Sequence, residues 1–168
     1  MDEVVTRSRF DAFRAEATDL ILRAYEHADG MMSTFLFEDK DGDKASFCVP
    51  EFMMVNQMAK GVLSLVIRQQ IKDKGFQIVC FCTEAWALAV EQSEGIPQHA
   101  PSEDPRRFEI IMLHFETKNF KHSTQFKLER ESKDPESKVI AIHPYQDKDL
   151  TNIQIGGNFV GFFEEATF

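Results

Sequence analysis

The densest gathering of polar and ionisable side chains lies in the middle of this sequence. Thr83-Glu84-Ala85-Trp86 closes an apolar run, and Pro101-Ser102-Glu103-Asp104-Pro105-Arg106-Arg107 leads into the next one. With His99 and His114 as neighbours, Glu84 and Glu103 have the makings of carboxylate–imidazole chemistry, in which a general base activates water directly or through a bound cation. Trp86 would form one wall of such a pocket. The spacing argues against it: His99 stands in a loop with no HxH or HExxH pattern, and His114 alternates within a strand-like run, so nothing in the sequence brings the rings together. The same residues fit a structural clamp, with Arg106 or Arg107 paired to Glu84 or Glu103 and pinning the loop across the sheet edge. Ser102 can cap a short turn whose Glu103 and Asp104 suit its positive end, with Pro105 fixing φ inside it. The clamp is the preferred reading, with Trp86, Arg106 and Arg107 as binding candidates, and the enzyme site is the alternative.

Other patterns carry less. Cys80 and Cys82 project to one face of their strand, but a CxC pair without a second pair lacks the geometry of zinc knuckles and thiol-redox motifs, so buried apolar thiols are expected. Asp39-Lys40-Asp41-Gly42-Asp43 begins like a calcium loop. Counted from Asp39, however, the sixth and twelfth positions are Lys44 and Pro50 rather than Gly and Glu, which leaves a hairpin tip. There is no GxGxxG, Walker A lysine or GxSxG elbow. No metal site and no cofactor are expected.

On the strength of Thr83 to Trp86 ending a strand and the Pro-Ser-Glu-x-Pro-x-Arg segment from Pro101 to Arg107, the chain resembles a loosely defined group of small bacterial and phage proteins. That likeness spans about the middle quarter of the chain. It implies no activity, cofactor or catalytic residue.

The elements that must hold these residues follow from periodicity. Phe10, Phe13, Ala17, Leu20, Ile21, Ala24 and Ala28 recur at three- and four-residue spacing and predict an amphipathic helix, ended near Gly30. Met31 to Glu38 and Lys44 to Val49 predict a β-hairpin. A second helix is expected from Glu51 to Lys74, stopped by Gly75. Its apolar positions Phe52, Val55, Met58, Ala59, Val62, Leu63, Val66 and Ile67 spread beyond one stripe, which suggests a central core helix, with Gln57, Lys60, Arg68 and Gln69 on the wet side and the methionines as core filling. Gln77 to Thr83 is apolar at nearly every position, as a strand covered on both faces would be, and should be central in the sheet. Phe108 to Thr117, Thr124 to Glu131 and Lys138 to Ile142 follow as strands before Pro144 interrupts, and Phe159 to Phe163 adds an edge strand or simply packs. Helix, hairpin, helix and meander predict one α+β domain over 1–168, an antiparallel sheet of about five or six strands with both helices on one face.

Composition sets the outer bounds. Sixteen Phe beside one Trp and two Tyr point to packed rings. A net charge of −9 opposes nucleic acid and anionic membranes as partners. Three cysteines without disulfide spacing, and a charged N-terminus, suit the cytoplasm. The expected role is a small binding or assembly protein, a homodimer or the ligand of a protein partner; the alternative is a small hydrolase or metal-assisted enzyme around Glu84, Trp86 and the loop to Arg107.

Overall fold

A computed structural model of the chain describes residues 4–27, 33–88, 105–134, 136–153 and 157–164. Helix α1 (Arg7–His27) begins where Thr6 caps it, its hydroxyl accepting the Arg9 N–H at 3.1 Å. Strands β1 (Thr34–Asp39) and β2 (Lys44–Cys48) form the expected hairpin. The Asp39 carboxylate accepts the N–H groups of Asp41 and Asp43, and Gly42 takes φ 82°, so the aspartates build the turn. A 3-10 turn (Glu51–Met54) precedes α2 (Gln57–Lys74). Asn56 caps α2 through a 2.8 Å bond from the Ala59 N–H, and Gly75 ends it at φ 69° with its N–H on the Ile71 carbonyl. Four strands follow: β3 (Phe76–Ala87), β4 (Phe108–Glu116), β5 (Lys121–Arg130) and β6 (Val139–Asp149).

All six strands form one antiparallel sheet in the order β2-β1-β3-β4-β5-β6, which places β3 inside it as its apolar run requires. The last strand is longer than the sequence suggests, because Pro144 does not end it. Pro144 sits opposite Phe126 at a register shift on the outermost strand, a position where proline is tolerated. Both shifts place the extra residue on β6, Tyr145 in one case and Ile140 in the other. Phe159 to Phe163 forms no strand; Phe159, Phe162 and Phe163 pack as side chains instead.

The helices do not share a face. Leu36, Ile78, Cys80 and Cys82 pack with Phe10, Phe13, Ala17, Ile21 and Tyr25 of α1, whereas Phe35, Phe37, Val79 and Phe81 pack with Leu63, Ile67 and Ile71 of α2. Successive strand residues point to opposite sides, so the two clusters lie on opposite faces of the sheet. This corrects the one-face expectation, and the reason lies in β1 and β3, whose consecutive apolar residues need cover above and below. Rings interlock on the α2 side: Phe35 lies 4.7 Å from Phe81 and Phe37 lies 4.6 Å from Phe76. Each such ring contributes roughly 1.5–3 kcal/mol through burial. Among the described phenylalanines Phe52 alone is exposed.

Candidate functional site

The residues singled out by the sequence are dispersed. Glu84 and Trp86 share the α1 face near the end of β3, where Glu84 is exposed and accepts a hydrogen bond from the Tyr25 hydroxyl. Burial first, and then the bond to Glu84, push the Tyr25 phenol above its ordinary value, so it stays a neutral donor. The Arg107 guanidinium lies 4.4 Å from the Trp86 ring centre, a cation–π contact across the base of the loop. Directly across from Trp86, Glu109 takes a 2.6 Å bond from Arg130. His114 is on the other face, paired opposite Phe81, so Glu84 and His114 do not meet. Arg106 is exposed at the loop's end, and His99 and Glu103 lie outside the described residues. Among the described residues no three His, Cys, Asp or Glu side chains are grouped to hold a metal.

Two polar clusters escaped the sequence reading. Glu116, 1% exposed, accepts the N–H groups of Gly161 at 2.6 Å and Phe162 at 2.7 Å, and His114 Nε2 at 2.9 Å. Burial disfavours its charge, but the His114 bond and the two backbone donors outweigh that and hold the carboxyl below its usual range. Arg68 of α2 donates to the Val160 carbonyl at 2.9 Å and to that of Gly161 at 2.5 Å. Residues 157–164 thus form a strap tied to both β4 and α2, with Phe159 and Phe162 set edge-to-face against Phe35. The predicted wet-side Arg68 is therefore a structural anchor. The second cluster borders a groove of about 580 Å³ between α1 and β6, lined by Arg14, Thr124 and Asp147 among others. There Asp147 accepts from His122 at 2.5 Å and Thr124 at 2.9 Å, and although burial raises its pKa these bonds bring it below the usual carboxylate range. Arg14 Nε and His122 Nδ1 are buried beside it without a hydrogen-bond partner among the described residues.

The feature that does stand out is the outer side of α2. Leu63, Ile67 and Ile71 face the sheet, at i, i+4 and i+8. Met58, Val62 and Leu65, with Val66 beside them, repeat the helical spacing on the opposite side and are exposed, Met58 to 80%. Val55 and Phe52, in the turn before α2, are exposed as well, at 65% and 68%. A helix with apolar residues on two opposite sides calls for cover on both; α2 is covered on one side only. This corrects the expectation of a central core helix. Met53 and Met54 do pack against the core, while Met58 does not. The signal was present in the sequence as an apolar arc too wide for one interface. By contrast, nothing in a lone Glu within a strand marks Glu116 as an anchor.

Neither helix is long and apolar enough to cross a membrane. Comparison with family models, with curated proteins and with solved structures finds no match for the chain.

Proposed function

We propose that this chain is an assembly protein that acts by docking protein on the outer face of α2 rather than by catalysis. The observation that carries this reading is the exposed apolar set Met58, Val62, Leu65 and Val66 on the outer side of a helix already anchored to the core by its other side, with Phe52 and Val55 exposed in the turn before it. The separation of Glu84 from His114 by the thickness of the sheet weighs against the hydrolase alternative. Three free thiols suit a reducing compartment, and we place the protein in the cytoplasm.

Oxidation of Met58 tests the reading. In the purified chain at nanomolar concentration its thioether should oxidise at close to the rate of a free methionine, because it is 80% exposed. In extracts of cells making the chain at natural abundance, docking should slow that reaction at least tenfold. Equal rates in the two settings would remove the basis for the proposal.

A further inference from the structure

Resting on that reading, we infer that the occupant of the α2 face is a second copy of this chain, seated antiparallel on a two-fold axis that passes near Val62. A two-fold contact must be self-complementary, the same patch meeting itself. Reversing α2 about Val62 sets Met58 against Val66 and Val62 against Val62, apolar on apolar throughout the centre. Reversal also sets the two helix dipoles head to tail.

Gly61 supplies an independent argument. It sits inside α2 between Met58 and Leu65 on the helix surface, takes no positive φ, and a Cβ built on it would meet nothing within 4 Å. Glycine in a helix interior is destabilising, and nothing inside the chain requires it here. What it does provide is a backbone without a side chain beside the apolar row, which lets a second helix approach to the short end of the usual 8–10 Å interaxial range.

The area is sufficient. Six side chains of this size, exposed by half to four fifths, offer roughly 600 Å² per copy, so a pair buries about 1,200 Å², the lower bound of specific interfaces. The sheet margins are poorer candidates for self-pairing. Strand β2 is five residues long, and β6 carries Pro144 and two register shifts. A bilayer is disfavoured by the net charge of −9 and by Asp73, which continues the line of the row at its C-terminal end.

The test is sedimentation of the full purified chain from 1 to 100 micromolar, with circular dichroism to verify folding. The expected mass is twice 19.3 kDa. Leu65→Glu, at a position exposed in the single chain, should keep the fold and weaken pairing by about 100-fold or more, because it buries unpaired charge twice. Gly61→Ala should raise the melting temperature of the dilute chain and weaken pairing by about tenfold, opposite signs that a merely structural glycine would not give. Spin labels at Lys74→Cys in a Cys48→Ser background should lie about 36 Å apart, twelve residues of helix on each side of the axis, and labels at Val62→Cys should lie close together. A monomer at 100 micromolar overturns self-pairing, as does a dimer untouched by Leu65→Glu. So does a monomer that co-sediments with phosphatidylcholine or phosphatidylglycerol vesicles until Leu65→Glu is introduced. A monomer in solution whose Met58 is nonetheless protected in extracts removes the second copy and leaves the docking reading standing.

Discussion

Exchanging Glu116 for Gln isolates the bond set that ties residues 157–164 to the sheet. The carboxylate takes Gly161 N–H on one oxygen and Phe162 N–H on the other. A Gln side chain of the same shape has one acceptor; its amide nitrogen turns donor against donor at the second N–H. Leaving one buried donor unpaired costs about 1–3 kcal/mol, and losing the charge from the surviving bonds costs about 1 kcal/mol more, so the variant should be less stable by about 3 kcal/mol. In a chain of this length that lowers Tm by about 6–12 °C. The effect should depend on pH. Because the folded carboxyl is held below its usual range, its stabilisation is complete above the unfolded value of about 4.3 and fades as pH falls through the folded value. Wild type and Glu116→Gln should therefore differ most at neutral pH and converge as the folded carboxyl is protonated in acid. Thermal unfolding by calorimetry measures the gap, and amide exchange at Gly161 and Phe162 should accelerate in the variant. A Tm unchanged at pH 7, together with unaltered exchange at those two amides, refutes the assignment of Glu116 as the anchor.

Two further outcomes follow from local geometry. Asn56→Ala removes the acceptor for the Ala59 N–H and should cost about 1 kcal/mol, read as a Tm lower by about 2–4 °C. Of the three thiols only Cys48 is exposed; burial raises the Cys80 thiol and, with Glu84 adding to it, pushes Cys82 up to about 12. A chromogenic disulfide at pH 8 should therefore label one thiol per folded chain and three after denaturation, and fast labelling of a second in the folded state contradicts the burial.

Much of the architecture was legible because periodicity and burial say the same thing. Phe10, Phe13, Ala17 and Ile21 recur at helical spacing and are buried together; the Asp39–Asp43 tip and the Gly75 stop are set by turn chemistry within a few residues. Where tertiary context decides, local pattern gave out. Pro144 reads as a break, yet an outermost strand with a bulge tolerates it. The opposite placement of the helices was implicit in the continuous apolar run of β3, but choosing a face for each helix depends on how connections cross the sheet. Tyr25 is not among the apolar positions read for α1, yet it is buried with its hydroxyl donated to Glu84. Of the candidate site, Glu84, Trp86 and Arg107 do gather at one corner, whereas His114 serves Glu116, 45 residues from Gly161 in sequence, and no short-range signal spans that distance.

The irregular outer strand sets a limit on what crowding can do to the folded chain. A seventh strand laid against β6 would find no N–H at Pro144 and a ladder thrown out of step at Ile140 and again at Tyr145. Addition of native molecules along this margin is thereby opposed, so an open-ended ribbon of folded chains lacks one of the two edges it needs.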